Sequence, residues 1–183
     1  MSAIPKICPD LNWFAIRSSY CRDVKIAAFL NERGIKTYIP MMHKLVIKND
    51  VSKRELVPVI RNLVFVNTQL LTLNNVKQEL EGSMPIRLIM NKSTGKPAVI
   101  SDKEMSDFIL ISGAGSNDLI YMSAEEANLK VGDKVRVIEG IFKGTEGKLV
   151  RIKGHKRVLV LIEGVVAVAT SYIPTMFLKK IDT

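Results

Sequence analysis

Few residues of this 183-residue chain have side chains that could do covalent chemistry, and they lie far apart. The two cysteines, Cys8 and Cys21, have neither the spacing of a metal site nor the number needed for a disulfide framework. The two histidines, His43 and His155, fall in separate strand and turn contexts without a Ser/His/Asp or Cys/His arrangement. We therefore expect no enzyme, no bound metal and no cofactor.

A second kind of chemistry, the binding of a partner, is indicated by an apolar pair between two glycines. Ile141 and Phe142 stand between Gly140 and Gly144, where the glycines predict a turn. A turn exposes its residues, and an exposed aromatic side chain is more informative than an exposed lysine. The pair therefore marks a candidate contact surface.

The charge of the chain also favours a binding role. The formal net charge is +9, of which residues 128–183 contribute +6 (11 Lys/Arg against 5 Asp/Glu) and residues 1–127 contribute +3 (16 against 13). This surplus favours an acidic partner, most simply nucleic acid or a protein that works beside it. The alternative is that surplus lysine only keeps a small domain in solution.

Composition and the first residues give an expectation for location. With 47% apolar and 25% charged residues the chain is typical of globular proteins. No apolar run approaches the roughly 20 residues that span a bilayer, so we expect no membrane partner. The first ten residues lack a basic start followed by a long apolar core, so no secretory signal is predicted and a cytoplasmic location is expected.

Short strands with turns between them are predicted for residues 128–183. Val135 and Val137 alternate with Lys134 and Arg136, which places the valines on one buried face of a strand. Further strands are predicted at residues 147–152, 157–162 and 165–169, the last two joined at Glu163-Gly164. This pattern is typical of a small β-barrel.

Strands and helices alternate in the first 112 residues. The predicted order is a strand at 11–17, a helix at 22–33, a hairpin of 36–48 with 52–59 that turns at Asn49-Asp50, a strand at 63–66, a helix at 73–80, a strand at 87–90 and a helix after the capping box of Ser101 and Glu104. Met105, Phe108 and Ile109 form the predicted buried face of that last helix. We expect an α+β domain with helices against an antiparallel sheet.

A segment of small residues, 113–118, is the best candidate for a linker. We therefore divide the chain into an N-terminal domain at 10–112, a flexible linker at 113–127 and a C-terminal domain at 128–183.

Both halves resemble known modules. The C-terminal half resembles the KOW motif at Gly132, Asp133, Val135, Val137, Gly140, Phe142, Lys143, Gly144 and Gly147. The N-terminal half resembles the NGN domain of NusG-like factors at Trp13-Phe14, Ile39-Pro40, Val57-Pro58, Asn62, residues 63–66, Pro97, Asp102, Glu104 and Met105. The amino-acid sequence of the last predicted strands, residues 150–174, resembles that of the UpxY-type branch, whose members regulate capsular and surface polysaccharide operons. The resemblance implies an SH3-like barrel for the KOW half.

The function implied by this resemblance is transcription antitermination without catalysis. An NGN-like domain grips the coiled coil of the RNA polymerase clamp and favours its closed, elongating state, which suppresses pausing or termination. The positions that match the family's grip are Ile60, Leu63 and Phe65, although the family commonly has tyrosine at Leu63 and Phe-Pro at Ile60 and Arg61. The alternative is that these are core residues of a central strand, because only alternate residues of a strand can line one pocket.

The resemblance also implies contacts with other partners. On this resemblance, we expect Arg22, Lys25 and Arg33 of the first helix to touch the exposed non-template DNA strand, as in some specialised members, or the nascent RNA; a solvated helix face is the alternative. Ile141 and Phe142 match the loop that meets a ribosomal protein or a termination factor, with core packing as the alternative for Phe142. We expect a monomer. Two competing functions stay open: a general NusG-type elongation and termination factor, and a ribosome-associated RNA-binding protein.

Overall fold

The computed structural model describes residues 11–48, 51–116 and 118–181. Two features of the sequence lie outside the described residues: Cys8, and the turn predicted at Asn49-Asp50. The elements of the first half are β1 Asn12–Arg17, α1 Asp23–Glu32, β2 Lys36–Tyr38, β3 Met41–Lys48, β4 Val51–Pro58, β5 Leu63–Thr68, α2 Leu70–Leu80, β6 Arg87–Leu88, β7 Val99–Ile100 and α3 Asp102–Ser112. The elements of the second half are β8 Ile120–Met122, α4 Ala124–Asn128, β9 Lys134–Val137, β10 Glu146–Ile152, β11 His155–Ile162, β12 Val166–Ala169, a 3-10 turn Thr175–Phe177 and β13 Leu178–Lys180.

The N-terminal sheet has the order β2-β5-β1-β6, and β7 pairs with β1 beyond the end of β6. All of these pairings are antiparallel, and β5 is a central strand as predicted. Because side chains alternate along a strand, Phe14, Ile16, Val64 and Val66 pack on α1 and α2, while Trp13, Ala15, Leu63 and Phe65 face the other side. The sheet is therefore apolar on both faces and covered by helices on both.

Strands β3 and β4 form a two-stranded ribbon outside that sheet. The two strands pair in register from Met41 opposite Pro58 to Lys48 opposite Val51. Leu45, Ile47 and Leu56 are more than half exposed, because no other element among the described residues covers this face of the ribbon. The prediction of a hairpin here is confirmed.

The C-terminal sheet has six strands in the order β13-β9-β10-β11-β12-β8. Val135 and Val137 are buried and their neighbours Lys134 and Arg136 are exposed, as the alternation predicted. The predicted closed barrel is not shown, because β8 pairs with β12 at one edge and β13 pairs with β9 at the other. The strand β8 comes from the segment predicted as a flexible linker.

Residues 118–127 thus contain more regular structure than the small residues before them indicated. After the glycines, β8 extends the C-terminal sheet and α4 packs on β11 and β12. Helix α4 begins with a capping box in which Glu126 N donates to Ser123 Oγ at 3.1 Å and Ser123 N donates to Glu126 Oε2 at 3.1 Å. The domain boundaries themselves stay predictions. None of the helices in the described part of the chain is long and apolar enough to cross a membrane.

Candidate partner-binding surfaces

Helix α3 lies between the two sheets. Met105, Phe108 and Ile111 are fully buried, and the rings of Phe108 and Phe65 are 5.2 Å apart at a tilt of 55°. The same helix also contacts β11 and β12 of the C-terminal sheet. One continuous apolar cluster therefore includes the α3 side of the N-terminal sheet, α3 itself and valines such as Val158 and Val166. The two halves dock through α3.

Polar contacts fix the position of α3 against the second half. Asp107 Oδ2 accepts a hydrogen bond from Glu146 N at 3.2 Å, and the Asp107 side chain is only 9% exposed. Lys103 Nζ donates to both carboxylate oxygens of Asp107 at 2.6 Å and to the Gly144 carbonyl oxygen at 3.1 Å. We call Lys103, Asp107, Gly144 and Glu146 the α3 latch. Sequence reasoning missed it, although an aspartate between Met105 and Phe108 on the inward side of a helix was a visible signal.

Two further contacts hold the segment that connects the two sheets: one joins it to the N-terminal half and the other to the C-terminal sheet. Lys92, in the loop after β6, pairs with Glu125 of α4 at 2.9 Å, which raises the pKa of Lys92 and lowers the pKa of Glu125. Both side chains are exposed, so this ion pair adds little stability. The buried Arg157 Nη1 donates to the carbonyl oxygens of Asp118 at 2.6 Å and Thr170 at 2.8 Å, which holds the segment before β8 on the C-terminal sheet.

The residues predicted to bind polymerase do not all reach the surface. Ile60 is half-buried on the turn before β5, whereas Leu63 and Phe65 are fully buried beneath α3. In this docked arrangement Leu63 and Phe65 are core residues of a central strand, which was the alternative to the polymerase grip. Their part in partner binding stays a prediction that requires α3 or the C-terminal sheet to move.

A small, mostly apolar cavity of about 150 Å³ lies at the base of the β3–β4 ribbon. Its lining includes Met42, His43, Ser112 and Tyr121. Burial raises the pKa of Tyr121 to about 12, and the neighbouring Tyr38 adds to that rise. Burial also raises the pKa of Tyr38, whose hydroxyl is 2.6 Å from Ser112 Oγ. The hydroxyl of Tyr121 is thus held in its protonated form at neutral pH.

The three cations predicted to touch nucleic acid do not form one cluster. Arg22 caps the start of α1 and Arg33 its end, about 17 Å apart at the rise of an α-helix. Arg22 Nη1 donates to the Ser83 carbonyl oxygen, and Arg33 Nη2 pairs with Glu79 at 2.7 Å while its guanidinium lies 3.4 Å from the centre of the Phe29 ring. Lys25 is exposed and has no side-chain partner among the described residues.

The loop predicted as an exposed apolar pair is exposed at only one of its two residues. Ile141 is 68% exposed, but Phe142 is 3% exposed, so the expectation of an exposed aromatic was wrong. Gly140 and Gly144 adopt φ values of +85° and +92°, and Gly144 N donates to the Val137 carbonyl oxygen at 2.8 Å. The loop thus folds back and carries Phe142 into the core.

A groove with apolar walls lies beside this loop, and Ile141, Tyr172, Pro174 and Phe177 line it. Tyr172 and the adjacent Met176 are more than half exposed. The role of Ile141 and Phe142 in partner binding stays a prediction, for which this groove offers the apolar area.

Comparisons with known proteins agree with both halves of the chain. Residues 11–109 match the family model described as transcription termination factor NusG. Residues 131–163 match the model of the KOW motif. A search of curated proteins gave no match to the chain.

Proposed function

Because this chain belongs to the NusG family of transcription termination and elongation factors, we propose that it binds RNA polymerase and suppresses pausing or termination. The observation that carries the proposal is the order of the two matched segments, a NusG segment at 11–109 followed by a KOW segment at 131–163. NusG and KOW families act by binding rather than by catalysis. In this proposal the protein works in the cytoplasm as a monomer.

The proposed polymerase contact is the α3 side of the N-terminal sheet. Ile60 lies at its rim, and Leu63 and Phe65 lie beneath α3, where their volume sets the position of the helix. Helix α3 covers this face and packs with its other side on the C-terminal sheet, so a polymerase contact at Leu63 or Phe65 competes with the docked arrangement of α3 and that sheet. A partner shifts that equilibrium only by as much as it binds the open form more tightly than the docked form.

Additional contacts extend the proposal. Arg22, Lys25 and Arg33 follow the non-template DNA or the nascent RNA, with Lys25 best placed because its ammonium group has no described partner. The groove beside Ile141 and Phe142 takes an apolar side chain of a ribosomal protein or a termination factor.

The target is proposed from the resemblance of residues 150–174 to the UpxY-type branch. We propose that the factor acts at surface or capsular polysaccharide operons. Transcription of the organism's own leader sequences by its own polymerase tests this, with readthrough past a pause or terminator as the readout. Equal readthrough on all leaders supports a general NusG-type factor, and no change in readthrough contradicts antitermination.

Capture of RNA polymerase by the full-length chain tests the polymerase contact directly. Leu63→Asp and Phe65→Asp are poor probes, because a carboxylate at a fully buried position destabilises the fold. Ile60→Asp changes a half-buried rim residue, and we expect it to weaken capture by about tenfold or more. Leu71→Asp is the control, since Leu71 is 71% exposed on α2 at the opposite face of the sheet. Equal capture by both variants contradicts the proposed surface.

The second candidate function, a ribosome-associated RNA-binding protein, is favoured by the charge of +6 on residues 128–183. Sedimentation of the full-length chain through a gradient with ribosomal subunits and polymerase distinguishes the two. Movement with a subunit in the absence of polymerase supports this alternative.

A further inference from the structure

The cavity at the base of the β3–β4 ribbon lies between the two halves of the chain. One wall includes Met41 and Val59 at the base of the ribbon and Ser112 at the end of α3. The other wall includes Leu119 and Tyr121, in the segment that leads into the C-terminal sheet. Because Tyr121 lies on β8, which pairs with β12, this second wall is in place only while the two halves are docked.

Hydrogen bonds fix the first wall in its shape. Val59 N donates to the Pro40 carbonyl oxygen at 2.9 Å, which closes the base of the ribbon. The Tyr38 hydroxyl is 2.6 Å from Ser112 Oγ, which donates to the Phe108 carbonyl oxygen at 2.6 Å. These polar groups are already satisfied within the protein, so the wall needs no rearrangement to receive a ligand.

The size and lining of the cavity favour one aromatic ring. Its volume is about 150 Å³, and an apolar cavity of about that volume takes a molecule of the size of benzene. Most sites for larger ligands have about 300 to 1,000 Å³. Both Met41 and Met42 line the cavity. Methionine side chains adapt to the shape of a ligand, and their sulfur atoms make favourable contacts with aromatic rings.

The polar groups of the lining indicate what the ring carries. The half-buried Tyr121 has no hydrogen bond for its hydroxyl within the described part of the chain, so this hydroxyl is free to donate to a ligand. The lining contains the exposed His43 but no Lys, Arg, Asp or Glu among the described residues. A charged ligand would therefore lose its hydration without gaining a counter-ion. The cavity thus favours a neutral ring with an oxygen that accepts a hydrogen bond.

We infer that this cavity binds a neutral, single-ring aromatic molecule that carries one oxygen, such as a phenol, and that the Tyr121 hydroxyl donates to that oxygen. Since Leu119 and Tyr121 complete the cavity only in the docked arrangement, the bound ring stabilises docking over any form in which the halves separate. The ligand is therefore an effector that holds the two halves together. Its effect on polymerase rests on the proposed function, in which docking competes with the polymerase contact.

Fluorine NMR of the full-length chain with para-fluorophenol and with fluorobenzene tests the inference. Both rings fit the cavity, and only the first carries an oxygen. We expect saturable binding of each, with para-fluorophenol bound about fivefold more tightly, the factor for one neutral hydrogen bond. Tyr121→Phe removes only the hydroxyl, so it should abolish this difference and bind fluorobenzene as before. Tyr172→Phe is the matched control, because Tyr172 is exposed and lines the groove beside Ile141 instead.

Two further measurements test the location of the ring and its effect on docking. Val59→Phe places a ring of the protein in the cavity and should abolish binding of both probes, with circular dichroism as the check that this variant folds. Hydrogen exchange at the β8 amides reports how often this strand undocks. At a para-fluorophenol concentration of about ten times its Kd, exchange through undocking should slow about tenfold.

Several outcomes overturn the inference. A para-fluorophenol resonance that does not change when the protein is added removes the site, and unchanged binding by folded Val59→Phe places the ring elsewhere. Equal affinity of Tyr121→Phe and wild type for para-fluorophenol removes the role of the hydroxyl. Unchanged β8 exchange at saturation removes the effector role. Capture of polymerase without the ligand tests the proposed function separately, because ring binding can fail while polymerase is still captured, and the reverse.

Discussion

The α3 latch makes a quantitative prediction about how firmly the two halves dock. In Asp107→Ala the Glu146 amide loses its acceptor inside a nearly closed contact, which costs about 1 to 3 kcal/mol. The lost ion pair with Lys103 adds at most about 1 kcal/mol, because the lysine side chain is 52% exposed. The greater helix propensity of alanine offsets about 0.5 kcal/mol. The midpoints of these terms give a net destabilisation of about 2 kcal/mol.

Thermal unfolding of the full-length chain measures this loss. For a chain of this size each kcal/mol lowers the Tm by about 2 to 4 °C, so Asp107→Ala should unfold about 4 to 8 °C below wild type. Asp107→Asn keeps an oxygen that can accept from Glu146 N, and we expect only about 1 kcal/mol for it. Ser106→Ala is the control, because Ser106 is the exposed neighbour on the same helix.

The rate of hydrogen exchange at the α3 backbone amides provides a second measurement, because it reports how often α3 undocks from the C-terminal sheet without unfolding of the whole chain. A loss of about 2 kcal/mol raises the population of the open form about 30-fold, since each 1.4 kcal/mol is a factor of ten. The same change should strengthen polymerase capture if the proposed competition holds. A Tm for Asp107→Ala equal to that of Ser106→Ala, with unchanged α3 exchange, would refute the role given to the latch.

Three further expectations follow from other parts of the structure. The raised pKa of Tyr121 means that the protonated phenol favours the folded state; this contribution to stability is complete below pH 10 and is lost as the pH rises toward 12. The urea concentration at the unfolding midpoint should therefore fall between pH 10 and 12. It should fall less in Tyr121→Phe, which has no phenol to titrate. Gly147→Ala places a Cβ 2.3 Å from a backbone oxygen of β11, so it should lower the free energy of unfolding, measured by chemical denaturation, by about 3 kcal/mol. Gly154→Ala meets open space but has a φ of +81°, so it should lower the same free energy by only about 1 kcal/mol. Ile141→Asp changes an exposed residue, so it should leave the Tm unchanged and abolish binding of a KOW partner in a pull-down. Phe142→Ala changes a buried residue and should lower the free energy of unfolding by about 3 to 5 kcal/mol. A large drop in Tm for Ile141→Asp would contradict the exposed position of Ile141.

Local signals predicted most of the N-terminal half. The period of apolar residues gave α1 to within a residue at each end, and the Ser101-Glu104 capping box marks the start of α3. The bond from Ser101 N to Glu104 Oε2 is 3.0 Å, as the spacing of those two residue types required. These elements were predictable because their causes lie within a few residues of each other.

Features that depend on distant residues were not predictable in the same way. The same Ser-x-x-Glu pattern at Ser123 marks α4, but the glycines just before it indicated a flexible linker. The burial of Phe142 depends on the left-handed Gly140 and Gly144, which turn the loop inward, and sequence spacing cannot show that direction. The docking of the two halves depends on which sheet lies beside α3, and no local pattern states that.

The position of α3 between two sheets also has a consequence during synthesis. The ribosome makes α3 well before β11 and β12, which cover it and end at Ala169. The 57 residues that follow Ser112, up to and including Ala169, take about 3 to 11 s at ordinary rates of elongation. For that time the N-terminal half is complete while the C-terminal side of α3 is bare. Every new molecule thus passes once through an undocked form, whatever equilibrium the finished chain reaches.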